Sequence, residues 1–388
     1  VPILYGRLLR PSPGHDVFFP MRMVFWRPPL LVLPVVLILA CREQPRPLIG
    51  TALGSTFNEA VTMALEDATP SGTTAVADAL LLAERSSVAA SAIQLATTLL
   101  SKPSLVAVVG HTNSSASLAA AQLYNDAKVV ELAPTSTAQL YSAAGPYSFR
   151  MVPSDHRQGW VLAQAVARER PRDARVALLY VNDDYGRSLR SVVGAALDSL
   201  EISVVADLPH LDSPGKTRTV LEDIQTVIQT KPNVIVWLGR PGSLHSVLPA
   251  IRPSLGDVPV FASDATTTWS LRGNPDGVLT GVRYVDFVDL DATPEGRRFR
   301  DRYRARFGHT PGGGEALAYD AMLVLLEAVR SGARTGDDVR RFLDQLGRER
   351  QAVHGVTGLI SFSLDGDVQR DPILRRIPAP DAVATNSP

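Results

Sequence analysis

From residue 48 onward, short runs of aliphatic and β-branched residues alternate with longer stretches in which apolar positions return every three or four residues. This is the pattern of parallel strands joined by crossover helices. Strands are expected over 105–110, 128–132, 175–181, 201–206, 233–238 and 258–262, several of them continuously apolar, as strands covered on both faces must be. Between them, 87–100, 115–127, 185–200, 218–230 and 242–252 have helical periodicity, with Val220, Ile224, Val227 and Ile228 as one stripe. Two such series lie either side of about residue 150. The order then changes to three helical stretches, 293–307, 315–331 and 336–347, followed by a last strand at 358–363. A chain whose end differs from its middle is expected to cross back between two lobes. No internal repeat with a clear period is present. The segment 378–388, with three prolines and little apolar content, is expected to be a disordered tail.

The first 40 residues follow other rules. Residues 30–40 form the only long uncharged apolar run, preceded by Arg22 and Arg27 and closed by Ala40-Cys41. Eleven residues are too few for a membrane-spanning helix, which needs about 20. A basic segment, a short apolar segment and a small residue before the end make a secretory signal. Ile38-Leu39-Ala40-Cys41 resembles the bacterial lipobox, and Cys41 is the only cysteine of the chain. The expectation is a leader over 1–40, translation starting at Met21 or Met23, and lipidation at Cys41, giving an exported protein tied to a membrane by a lipid anchor.

Composition narrows the function further. The 388 residues carry 39 basic and 39 acidic side chains. Without the leader the balance is 35 to 38, which leaves no basic field for a nucleic acid. One cysteine allows neither an intrachain disulfide nor a cysteine metal cluster. The seven histidines show no H-x-H or H-E-x-x-H spacing, no G-x-S-x-G occurs, and Gly312–Gly314 form neither a Walker loop nor a dinucleotide fingerprint. No metal and no cofactor is expected, and no enzyme. His111 and His156 lie beside hydroxyl or acidic residues, so a third reading, an exported hydrolase, would rest on them.

In doubly wound sheets ligands bind beyond the carboxyl ends of the strands. After 105–110 comes Gly110-His111-Thr112-Asn113-Ser114-Ser115, and after 128–132 comes Ala133-Pro134-Thr135-Ser136-Thr137. Both loops are rich in hydroxyls and open helices, an arrangement that suits one carboxylate. Ser114 and Thr137 read equally well as helix caps. In the second series, 175–181 leads to Asn182-Asp183-Asp184-Tyr185-Gly186 and 258–262 to Ser263-Asp264. An acid facing a carboxylate-binding loop would match a zwitterion.

These loops occur in company. Val-Val-Gly-His at 108–111, Ala-Pro-Thr-Ser-Thr at 133–137, Phe149-Arg150 with Asp155, Gln158 and Gly159, and Asp184-Tyr185-Gly186 come first. Phe299, Tyr303, Phe307-Gly308, Pro311, Ala318-Tyr319-Asp320-Ala321 and the run from Gly355 to Asp367 follow. In this order they resemble the substrate-binding proteins of branched-chain amino acid ABC transporters, the Leu/Ile/Val-binding family with the type I periplasmic binding protein fold. The resemblance implies an α/β protein of two doubly wound parallel-sheet lobes joined by three crossover hinges. The N-terminal lobe would be 48–152 plus 288–350 and the C-terminal lobe 153–287 plus 351–377, with hinges near Arg150–Pro153, Asp286–Val288 and Gln351–Gly355.

It also implies that Ser114, Thr135 and Thr137 hold the ligand's carboxylate and amine from one lobe, while Tyr185 and Asp264 close from the other. Asp264 stands where the family has its ammonium-binding acid. Asn113, Ser136 and Arg240 are further candidates. The chain departs from the family where Arg240-Pro241-Gly242 replaces an aromatic residue, where residues 49–55 lack a Pro-rich loop, and where 66–84 look shortened. The implied partners are a small ligand, an amino acid first, and a membrane permease. The alternative is the same fold used as a ligand sensor or a regulator of envelope proteins without transport.

Overall fold

The computed structural model describes residues 45–69, 75, 77–84, 88–170, 172–211, 224–266, 274 and 276–380. The leader, Cys41, residues 218–223 of one expected helix and residues 381–388 of the expected tail lie outside the described residues.

The first parallel sheet is built from β1 (Leu48–Leu53), β2 (Asp78–Ala83), β3 (Leu105–Gly110), β4 (Val130–Ala133) and β5 (Ser148–Arg150), in the order β2-β1-β3-β4-β5. Between them run α1 (Ser55–Ala68), α2 (Ala89–Leu100), α3 (Ser114–Asp126) and the single turn α4 (Gln139–Ser142). The second sheet contains β6 (Arg175–Val181), β7 (Ser203–His210), β8 (Val234–Leu238), β9 (Val260–Ala262), β10 (Arg283–Asp286) and β13 (Ile373–Arg376). Its order is β13-β10-β9-β8-β6-β7, parallel except for β13 against β10. Its helices include α5 (Asp155–Glu169), α6 (Asp184–Ser199) and α7 (Pro241–Leu255). Without β13, the two sheets share one strand order.

Alternation within the apolar strands explains the layers. In β8, Val234, Val236 and Leu238 enter the core beneath α5 and α6, while Ile235 and Trp237 enter the core on the other face, with Leu244 and Val247 of α7. Each such side chain, fully buried, contributes about 1.5–3 kcal/mol. The sequence expectation gave the bounds of β3 and β6 as they stand, because a continuous buried run has no ambiguous end.

Three later helices, α8 (Pro294–Phe307), α9 (Gly313–Arg330) and α10 (Gly336–Gln345), belong with the first sheet: α9 packs along α1, and α10 on β3 and β4. Thr293 caps α8 by accepting from the Gly296 amide, and Gly308 ends it in the left-handed conformation. The closing segment differs from expectation. Of the expected strand 358–363, Gly358–Ile360 forms β12, in a hairpin with β11 (Val353–Gly355), and Phe362 makes an isolated bridge to Val368. Asp320 of α9 holds that hairpin, its carboxylate accepting from the Val356 amide at 2.8 Å and the Thr357 amide at 2.9 Å. Asp367 then pairs with Arg150 at the edge of the first sheet. The chain thus stays with the first sheet through Val368, whose amide donates to the Arg150 carbonyl, and reaches the second only in β13. The expectation put all of 351–377 in the second lobe with a hinge at Gln351–Gly355; the pairings observed are with the first sheet up to Val368 and with the second in β13. The cause is the buried guanidinium of Arg150, which draws the later segment to it.

Candidate functional site

A strand order of 2-1-3-4-5 makes the chain turn to opposite sides of the sheet after its first and third strands, and the crevice between those two loops is where ligands bind. Here the loops after β1 and β3 in one sheet and after β6 and β8 in the other bound the same cavity, of about 430 Å³. The first sheet contributes Thr56, Phe57, Thr112, Asn113, Ser114 and Thr135; the second contributes Tyr185, Arg240, Pro241 and Asp264.

On the first side each polar group is held in place. Asn113 caps α3, its Oδ1 accepting from the Ala116 amide at 3.1 Å. Ser114 Oγ accepts from the Ala138 amide at 3.2 Å, and Thr135 Oγ1 donates to the Thr112 carbonyl at 2.7 Å. The two loops are therefore cross-tied, with the amide end of α3, whose first N–H groups have no partner in the helix, turned to the cavity. Arg150, wholly buried, fixes the second loop from behind: Nη1 donates to the carbonyls of Ala138 at 2.8 Å and Ser136 at 3.3 Å. Its Nε and Nη2 reach the two oxygens of Asp367 at 2.6 and 2.8 Å. Ser136 and Thr137, both expected at the ligand, do not line the cavity. Ser136 Oγ is hydrogen-bonded to Ser117 Oγ at 2.8 Å, and Thr137 is fully buried with its carbonyl accepting from the Asp155 amide.

The second side carries charge. Tyr185 OH donates to Asp264 Oδ1 at 2.6 Å, and Gly186 lets α6 start close to β6, since a Cβ there would lie 1.9 Å from the Val181 carbonyl oxygen. Burial pushes the Asp264 carboxyl above the usual aspartate range, against the hydrogen bonds from Tyr185 and Gln158. Arg240 Nη2 donates to Asp183 Oδ2 at 2.9 Å, so its cation borders the cavity already paired. The two sides touch directly: the Asp184 amide donates to Ser115 Oγ at 3.3 Å, and the Gln139 amide to Ser188 Oγ at 3.0 Å.

Sequence reasoning missed three contributors. Thr56 and Phe57 come from the start of α1, Asp286–Val288 from the chain leaving β10, and Gly312–Glu315 from the start of α9. Glu315 accepts from Thr56 Oγ1 at 2.7 Å and from the Gly312 amide at 2.8 Å, tying α9 to α1. Gly314 faces the Phe57 ring, where a Cβ would come within 2.6 Å. The glycine run was the available signal. Its use is not phosphate binding but close helix approach. Burial pushes the Asp286 carboxyl up to about 6.

The histidines of the hydrolase reading lie elsewhere. His111 is wholly buried, its Nδ1 2.8 Å from Glu84 Oε1, and His156 is exposed; neither lines the cavity. Among the described residues no group of three or more His, Cys, Asp or Glu side chains could hold a metal ion.

Comparison with known proteins identifies the family and the fold. The model of the family described as "Periplasmic binding protein" matches residues 50–372. The "Leu/Ile/Val-binding protein homolog 1" of Brucella suis biovar 1 is 30% identical over 270 residues, 67% of this chain and 68% of that protein. An "Amino acid binding protein" of Pseudomonas aeruginosa is 26% identical over 262 residues, 64% of this chain and 66% of its own. Among solved structures, a leucine-binding protein of Thermotoga maritima superposes with a TM-score of 0.73 at 20% identity, covering 86% of this chain and 95% of that one. The chain belongs to the periplasmic binding protein family, has its type I fold, and counts Leu/Ile/Val-binding proteins among its relatives.

Proposed function

We propose that this protein is an extracytoplasmic lipoprotein, anchored through Cys41, that closes on an amino acid or similar small zwitterion and delivers it to an ABC transporter permease. The observation that carries the reading is the pairing of unlike faces across one cavity. The amide end of α3 with Ser114 and Thr135 suits a carboxylate, and the Tyr185–Asp264 pair suits an ammonium. Such a ligand binds the closed arrangement in preference to an open one, because only closure brings both of its charges to partners. Lobes of 48–150 plus 294–368 and 155–286 plus 373–377 would turn about the three connecting segments. The names of the Brucella and Pseudomonas relatives support an amino acid as cargo.

The test is a thermal-shift screen of residues 42–388 against the twenty amino acids, small amides and dicarboxylates. A ligand at 100 times its Kd adds about 2.7 kcal/mol of stability. Shifts confined to a few α-amino acids, and lost in Asp264→Ala, are expected. A folded protein that no zwitterion shifts would overturn the reading.

A further inference from the structure

Between the 135–137 loop and Asp264 lies a buried carboxylate that does not line the cavity. Asp155 opens α5, just after the chain leaves the first sheet, and is fully buried. Its amide donates to the Thr137 carbonyl at 2.8 Å, on the first side of the cleft. Its Oδ1 accepts from Gln158 Nε2 at 2.9 Å, and Gln158 Oε1 in turn accepts from the Asp264 amide at 3.4 Å, on the second side. Gln158 is also fully buried. One continuous path of hydrogen bonds therefore joins the carboxylate-facing loop to the backbone of the ammonium-facing acid, and Asp155 sits at its centre. Its Oδ2 has no hydrogen-bond partner among the described residues. An acid buried there is expensive for the fold despite its polar neighbours, and an asparagine would serve the Gln158 contact equally well.

We propose that Asp155 is a positioning residue for ligand capture, orienting Asp264 through Gln158 and adding a second buried negative charge that draws the ligand's ammonium into the closed cleft. The proposal rests on the reading of the cleft as a zwitterion site. Asp155 faces Thr137 from the loop after β4, Ser188 and Tyr185 from α6, Gln158 from its own helix, and Asp264 after β9. Asp264 is the charged group that acts on it, and Asp264 in turn acts on Asp286 beside Arg375. Burial pushes Asp155 up to about 6, with the nearby Ser188 and Thr137 hydroxyls opposing and the Asp264 charge adding to the rise. Near neutral pH it is ionised at a cost that a bound cation repays.

The experiment uses the amino acid selected by the thermal-shift screen, whose own charges do not change between pH 5 and 7.5. Affinity is measured by calorimetry across that range for wild type, Asp155→Asn and Gln158→Leu. Wild-type affinity is expected to fall as pH drops through about 6. Asp155→Asn should bind about tenfold more weakly at pH 7.5, show a smaller fall displaced to lower pH, and melt at a higher temperature without ligand. Gln158→Leu should weaken binding while keeping the wild-type pH midpoint. Asp155→Asn with wild-type affinity and pH profile would overturn the proposal. A merely structural Asp155 would lower the melting temperature and leave the pH profile in place, which also overturns it. Should Asp155→Asn fail to fold, a wild-type affinity flat from pH 7.5 to 5 overturns it alone. If no zwitterion binds wild type at all, it is the zwitterion reading that fails.

Discussion

The two faces of the cleft solve recognition differently. On the first, Ser114 and Thr135 spend their hydroxyls on each other's loops, Asn113 caps its own helix α3, and Arg150 clamps the assembly from behind. The acid of that side that borders the cavity, Glu315 of α9, is itself tied down, accepting from Thr56 Oγ1 and the Gly312 amide. On the second, Tyr185 and Asp264 present a partly buried acid whose proton affinity is raised by desolvation. The first face is preorganised, and a carboxylate arriving there finds dipoles already aimed. The second carries an acid whose charged form burial disfavours, a cost that a bound cation would relieve. Stability and affinity should therefore respond together to changes behind the first face and in opposite directions on the second.

The largest expected effect tests the clamp. Arg150→Met removes a wholly buried guanidinium and leaves Asp367 and two loop carbonyls without it. A loss of about 3–5 kcal/mol of unfolding free energy is expected, read by chemical denaturation, with ligand affinity falling too as the 135–138 loop loosens. If affinity survived the loss of stability, the first face would not depend on its clamp, and the contrast between the faces would break.

Asp264→Asn comes next. It should weaken the ligand by about 1.5–3 kcal/mol, roughly 10- to 150-fold, as calorimetry would show. Stability without ligand should stay level or rise at neutral pH, because an acid disfavoured by burial has been made neutral. Parallel losses of stability and affinity would show that the second face is built like the first.

How much of this was legible in the sequence follows from the same contrast. Strands that are buried on both faces announce themselves, as at 105–110 and 175–181; half-exposed β2, three-residue β5 and the charged edge strand β13, Ile373–Arg376, carry no such run. The loops after strands could be read because topology fixes where they open, and Asn113, Ser114, Thr135, Tyr185, Arg240 and Asp264 do meet at one cavity. Direction within a loop could not be read. Thr135 faces the cavity while Ser136 and Thr137, next to it, turn into the protein, since the buried Arg150 dictates the path of that backbone from more than ten residues away. Asp286 and Glu315 were invisible as site residues, because they arrive from elements that only the three-dimensional crossing brings to the cleft.

The pH dependence of the free protein separates charge from clamp. Asp155, Asp286 and Asp320 are all pushed up to about 6 by burial. Between an ordinary aspartate's value and theirs, the native state holds more protons than the unfolded chain, so unfolding free energy rises as pH falls from about 7 towards 5. Further acid reverses the trend, since Glu66, held down by its hydrogen bond from Arg306, and Asp338, held down by Thr335, are then protonated. Melting temperature without ligand should thus pass through a maximum on the acid side of neutrality, while affinity for a zwitterion falls over the same range. A melting temperature that fell monotonically from pH 7.5 would mean the three buried acids are not disfavoured in the fold.

The smallest effect is the most local. Thr135→Val keeps the shape and removes one hydroxyl whose hydrogen goes to the Thr112 carbonyl at 2.7 Å. One neutral hydrogen bond is worth about 0.5–1.5 kcal/mol net, so stability should drop by that much. If Thr135 only ties the loops, affinity should fall by no more than the same amount, roughly two- to tenfold. If its lone pairs also receive the ligand's ammonium, the affinity loss should exceed the stability loss. Ser136→Ala is the internal control: its hydroxyl is more deeply buried and is bonded to Ser117 Oγ, but it does not line the cavity. Equal affinity losses in the two variants would assign the whole first face to scaffolding. A loss confined to Thr135→Val would make one hydroxyl of the loop a ligand contact and leave its neighbours as the frame that aims it.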